Sequence, residues 1–139
     1  MNDEVDRLTA SPYLETLAFF SVALVAVVVF LAVFEMITRY SVWNEIKRGN
    51  LAVAMATSGK IFGICNIFRY AIAKNDTILK AVGWAGFGFV LLLAAYFIFE
   101  FLTPNLNVDE EIGKDNKAVG FIAMILSVSL SFIIGASVT

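Results

Sequence analysis

Histidine is absent from this sequence, and cysteine occurs once, at Cys65. A single thiol excludes a disulfide within the chain, and without histidine a zinc-type site lacks its usual ligands. No serine or cysteine has an imidazole to activate it, so hydrolysis of the triad kind has no base. No enzyme is expected and no cofactor is implied. Proline is scarce too: Pro12 and Pro104 stand at the edges of long apolar runs and leave their interiors unbroken. Charged residues make up only 16% of the 139, against about 25% in a typical soluble domain. The net charge is −2, and the ten Lys and Arg are scattered without a basic run. Nothing here would neutralise a phosphate backbone, so nucleic acid is not an expected partner. Cys65, inside an apolar stretch, reads as a small packing residue.

What abounds is hydrophobic surface, 60% of the residues, gathered into four blocks between short charged segments. A chain this small cannot bury four such blocks within itself. A bilayer tolerates them as helices, because a helix satisfies its own backbone hydrogen bonds. The expected spans are 14–37, 51–73, 79–102 and 118–138. Residues 1–13 form a polar N-terminal segment. Its acidic start (Asp3, Glu4, Asp6 against Arg7) and the long apolar run after it read as a retained helix, not a cleaved signal. Neither end carries a lipidation motif. Ser11, Pro12 and Glu15 make a helix start, and Pro104 stops the third span. Tyr40 and Trp43 are expected near one membrane interface, Trp84 and Tyr70 near the other.

The strongest pattern is internal. Phe34-Glu35-Met36-Ile37-Thr38 closes the first span and Phe99-Glu100-Phe101-Leu102-Thr103 the third. Each is followed by a polar loop with a similar ending, Glu45-Ile46-Lys47-Arg48-Gly49-Asn50 in one case and Glu111-Ile112-Gly113-Lys114-Asp115-Asn116 in the other. The glutamates lie 65 apart (35 to 100) and the asparagines 66 (50 to 116). The expected fold is therefore an all-α membrane protein whose four transmembrane helices form two parallel tandem hairpin repeats, 14–73 and 74–139. Each repeat crosses twice, so both keep one orientation, related by a pseudo-two-fold axis along the membrane normal. Both long loops then share one side and both termini the other. Arg39, Lys47, Arg48, Lys114 and Lys117 on the loops, against Arg7, Arg69, Lys74 and Lys80 opposite, favour cytoplasmic loops with the termini outside.

Certain residues stand out inside this frame. Asn50 and Asn116 fit as N-caps of the returning helices. Glu35 and Glu100 lie about one turn inside their spans, where an unpaired carboxylate is costly; they either reach the interface or take a partner. Lys60 sits ten residues into the second span. It is read as paired with Glu35 or Glu100 to fix helix packing, as lining a pathway together with Asn66, or as snorkelling outward. Ala52, Ala56, Gly59, Gly63, Asn66 and Tyr70 share one face of the second helix, and Ser127, Ser131 and Gly135 one face of the fourth. Such small-residue faces serve close helix contact within or between chains. Gly83, Gly86 and Gly88 follow no strand and read as packing or bending points.

The hairpin with Glu near the end of its first helix, followed by Gly49-Asn50-Leu51-Ala52-Val53-Ala54, resembles the DUF350 family of small prokaryotic membrane proteins. The second copy is Asp115-Asn116-Lys117-Ala118-Val119-Gly120. Members often carry the unit twice, and the resemblance implies this topology and a prokaryotic inner-membrane setting. Lys60 departs from the apolar residue expected there. Two function classes remain. One is an oligomerising structural or interaction subunit of the cell envelope, self-associating through its small-residue faces. Its polar loops would meet a protein partner, with Asp109, Glu110 and Glu111 as recognition surface or solvated face. The other is an ion or solute pathway formed by an oligomer and lined by Lys60, Glu35, Glu100 and Asn66.

Overall fold

Four apolar runs become four long helices, and the loops between their matched ends hold two short ones. A computed structural model describes residues 11–138; the first ten residues, most of the expected polar segment 1–13, and Thr139 lie outside the described residues. The elements are α1 (Pro12–Ile37), α2 (Val42–Lys47), α3 (Leu51–Lys74), α4 (Ile78–Leu102), α5 (Val108–Gly113) and α6 (Lys117–Ser137). There is no strand among the described residues. α1, α3, α4 and α6 are long and apolar enough to cross a membrane. Their bounds fall within two residues of the expected spans; α2 and α5 had been expected only as polar loop.

The helix ends follow from local chemistry. Pro12 opens α1 at the first helical position, but Ser11 contributes only its carbonyl, which accepts from the Glu15 N–H; its hydroxyl makes no capping bond. Thr38 and Thr103 close α1 and α4 alike, each N–H donating to a phenylalanine carbonyl four residues back (Phe34, Phe99). The shared loop endings are a helix stop joined to a helix start. Gly49 and Asp115 adopt positive φ, 82° and 63°. Behind them the N–H groups of Asn50 and Asn116 reach back to the carbonyls of Glu45 and Glu111, and those of Gly49 and Asp115 to Ile46 and Ile112. This double bond around a left-handed residue is a Schellman stop. Asn50 and Asn116 then cap the next helix, their side chains accepting from Val53 and Val119 N–H at 3.0 and 3.4 Å.

The most polar span is the central one. α3 has a mean hydropathy of 1.5 against 3.0 for α1. Yet α3 is the most buried of the four, while Phe34 is the one buried residue of α1. Lipid accepts the greasiest helix on the outside, and protein surrounds the helix that carries hydrogen-bonding groups. α3 and α6 form the closest contact. A Cβ added at Gly120 would sit 2.7 Å from the Ala52 Cα, and one at Gly59 2.7 Å from the Met124 Cα. Further along, Gly63 faces the Ser127 carbonyl, Asn66 bonds Ser131, and the Tyr70 ring lies on Gly135. Partners advance together along both helices, so α3 and α6 run parallel.

Two apolar clusters flank this seam. One joins Phe34, Ile64, Ile67, Phe68, Phe89 and Leu92 deep between α1, α3 and α4, with the rings of Phe30 and Phe89 stacked at 4.2 Å. The other gathers Val42, Ala52, Val53, Val108, Ile112 and Val119 beneath the loops, and so ties α2 and α5 to the helices. Outward-facing Leu17, Phe20, Val28, Phe97 and Ile133 are left for lipid. Cys65 also faces outward and is not a core packing residue. Trp43 is half exposed on α2, while Tyr40 packs against Gly113 and the Tyr70 ring against Gly135.

Candidate functional site

Both long loops lie at the same end of the bundle and are bonded to each other. The Asn50 side-chain amide donates to Glu45 of its own loop at 3.2 Å, and also to the carbonyls of Ile112 and Gly113 at 3.3 and 3.1 Å. In return Asp115 Oδ1 accepts from the Ala52 N–H at 3.0 Å. Asn116 repeats only the local half of the pattern, donating to Glu111 at 2.9 Å. The Ala52 bond pulls the Asp115 carboxyl below its ordinary value of 3.8, with Lys117 adding to it. α2 and α5 thus form one platform over the ends of α3 and α6.

Beneath the platform lies a buried polar cluster. Lys60 is only 5% exposed, with its Nζ 4.9 Å from the Phe34 ring centroid and 5.4 Å from that of Tyr96. Such contact with aromatic faces recovers part of the solvation a buried ammonium loses. The Tyr96 hydroxyl donates to Asp109, whose other oxygen accepts from the Arg39 N–H at 3.3 Å. Asp109 is 4% exposed. The Tyr40 hydroxyl is buried without a partner among the described residues. Burial, and then the Asp109 carboxylate, push that hydroxyl above its ordinary range.

Several expectations need correction. Lys60 is inside the bundle and does not snorkel, but it forms no ion pair with Glu35 or Glu100. The ion pairs among the described residues are Arg48–Glu45, Lys114–Glu110 and Lys117–Asp115, all on the loops. Both glutamates are partly exposed. Glu35 shares a small cavity with Lys60, whereas Glu100 lies on the Tyr96 side. Asp109 is neither a solvated face nor an exposed recognition residue; its burial is what brings Tyr96 and the loop backbone together. Asn66 is committed to Ser131, whose hydroxyl in turn donates a hydrogen bond to the Val128 carbonyl at 2.6 Å. Gly59, Gly63, Ser127, Ser131 and Gly135 meet between α3 and α6 inside one chain, the first of the two uses expected of these small-residue faces. Of the α4 glycines, Gly88 packs against Ile67, while Gly83 and Gly86 have open surroundings.

Nothing in the sequence singled out Tyr96, and the buried roles of Asp109 and Tyr40 differ from the surface positions expected of them. The one signal for Asp109 was its place between Val108 and Ile112, a spacing that turns a short helix inward on both sides of it. Among the described residues no three acidic or cysteine side chains gather as a metal-ligand set.

Fold and cluster together define a polytopic helical membrane protein with a polar core under one face. Its sequence matches the family model described as "Domain of Unknown Function (DUF350)" over residues 7–138, and the chain belongs to that family. It is 53% identical over 124 residues to the UPF0719 transmembrane protein YshE of Bacillus subtilis, covering 89% of this chain and 92% of the relative. It is 28% identical over 103 residues to the UPF0719 inner membrane protein YjfL of Escherichia coli, covering 74% and 76%. No solved structure matches the chain. The protein is a multi-pass inner-membrane protein of the DUF350 family.

Proposed function

We propose that this chain is a non-catalytic interaction subunit of the bacterial inner membrane, made of two tandem hairpin units, with the α2–α5 platform as its working surface. The observation that carries this reading is the cross-bonding of the loops through Asn50 and Asp115. Loops that only connect helices need no bonds to one another. These are tied into one body, and that body presents Arg48, Glu110 and Lys114 outward. The matched stop-and-cap bonds of the two halves support the tandem origin. Self-association, the other half of this reading, would use the outer faces of α1 and α4, since the small-residue faces already meet within the chain. The platform faces the cytoplasm in this reading, following the positive charge on its loops.

The test is photo-crosslinking in intact membranes from a reactive residue placed at Arg48 or Glu110, with Phe97 on the lipid-facing side of α4 as comparison. The platform positions should give discrete protein adducts. If they react only with lipid and water, the platform has no partner.

A second reading, an ion or solute pathway within an oligomer, is favoured by Lys60 alone. The cavity it lines is about 20 Å³, so passage would need an opening between copies. Lys60→Met in liposomes separates the readings, since flux changes with assembly intact only if Lys60 lines a route.

A further inference from the structure

We propose that Lys60 and Asp109 are each other's counter-charge, and that Tyr96, in contact with both, makes the pair a latch that seats α5 on the membrane bundle. The latch acts within one chain and needs no partner at the platform.

Asp109 is one half. It is buried, and both of its oxygens accept: one from the Tyr96 hydroxyl of α4, the other from the Arg39 N–H in the loop after α1. A carboxyl engaged in this way has no place for a proton of its own. Hydrogen bonds satisfy its oxygens but leave its charge, and a buried charge without an opposite one is costly. The ion pairs among the described residues do not include it.

Lys60 is the other half. It is buried on α3, likewise without an ion pair, and its Nζ lies 5.4 Å from the Tyr96 ring centroid. Of the carboxylates around it, Asp109 is the one whose charge acts on Lys60. Glu35 and Glu100 are partly exposed.

Tyr96 couples the two. Its hydroxyl donates to the carboxylate while its ring faces the ammonium. A phenol that donates to an anion becomes more electron-rich, and its face then draws a cation more strongly. Each charge thereby strengthens the other's hold on one ring.

The latch has a mechanical consequence. α5 is six residues long, too short to persist as a helix without packing. Val108 and Ile112 hold it through apolar contact, and Asp109, buried with them, is the charge it sends inward. Removing either charge leaves the other buried and unpaired, and α5 lifts with the platform edge that carries Glu110 and Lys114. The pairing also explains why a lysine stands where an apolar residue was expected.

The experiment is hydrogen exchange, read by NMR on the full chain in lipid nanodiscs. The reporters are the Glu111 and Lys114 amides, bonded to the Asn107 and Glu110 carbonyls, with the Ala81 amide at the far end of α4 as reference. Asp109→Asn should lower protection at the reporters by roughly tenfold or more in the wild-type background, and by less than about threefold once Lys60→Met has removed the opposite charge. Lys60→Met alone should loosen them too, whereas Lys60→Arg, which keeps the charge, should not. Tyr96→Phe keeps the ring, removes the donor, and should lower protection several-fold. Equal effects of Asp109→Asn in the two backgrounds overturn the latch, as does no effect in either. A matching loss at Ala81 overturns it as well, since the whole bundle would then be loosening. Should Lys60→Met fail to insert, Lys60→Gln serves the same comparison.

Discussion

Asn66 on α3 donates its side-chain amide to the Ser131 hydroxyl on α6 across 3.0 Å, joining residues 65 apart in sequence. The bond lies midway along the α3–α6 seam, between the Gly63 and Gly135 close approaches, and orients two helices that small residues allow to touch. In hydrocarbon, such an interhelical bond is measured at about 0.6 kcal/mol on average, with about 1.7 as the upper end. A double-mutant cycle of Asn66→Ala and Ser131→Ala, read by unfolding in mixed micelles, should return a coupling in that range. Additive losses would mean the two side chains do not act together.

The seam should reject volume where backbones meet and ignore it elsewhere. Gly59 and Gly120 each face backbone atoms at 2.7 Å from an added Cβ, with no flexible side chain to yield. Gly59→Leu or Gly120→Leu should cost more than about 2 kcal/mol by forced separation of the helices. Gly83→Ala on α4 meets nothing within 4 Å, and should stabilise by roughly 0.5–1 kcal/mol through helix propensity. Thermal unfolding of the three variants checks the contrast.

Asn50 and Asn116 look interchangeable in sequence and are not so in the fold. Both cap a helix, but only Asn50 also holds the carbonyls of Ile112 and Gly113. Asn116→Ala should lose about 1 kcal/mol, the usual worth of a cap. Asn50→Ala should lose roughly 2–3 kcal/mol, because buried acceptors go unsatisfied as well. Equal losses would show that the cross-loop bonds contribute nothing.

The platform should loosen in acid through Asp115. Its carboxyl is held below 3.8 by the Ala52 N–H, so the folded state prefers the charged form. That contribution is complete above the ordinary carboxylate value and is lost as pH falls through the lowered one. Protection of the Ala52 amide against hydrogen exchange, taken relative to its intrinsic rate at each pH, should fall below about pH 4. Asp115→Asn, which keeps an acceptor but cannot titrate, should flatten the dependence.

The division between what sequence revealed and what it hid follows from physics. The spans were legible because a bilayer sets both length and apolarity. The caps were legible because Asn before a helix has one dominant use. The α3 and α6 stripes were legible as packing faces, but nothing in periodicity says whether a face meets its own chain or another; that depends on which helix sits beside which. Lys60 was recognisable as anomalous, yet its surroundings come from α1, α4 and α5, whose rotations no local pattern fixes. Asp109 was hidden for the opposite reason. It stands in an acidic run that reads as solvated, and burial of Val108 and Ile112 carries it inward.

The central claim is that the two long loops meet on one membrane face. Cysteines placed at Lys47 and Lys114 in a Cys65→Ser background, and at Asp76 as reference, can be probed in sealed vesicles with an impermeant thiol reagent. Lys47 and Lys114 should label from the same side, and Asp76 from the other. Labelling of Lys47 and Lys114 from opposite sides would contradict the paired platform and the parallel α3–α6 seam together.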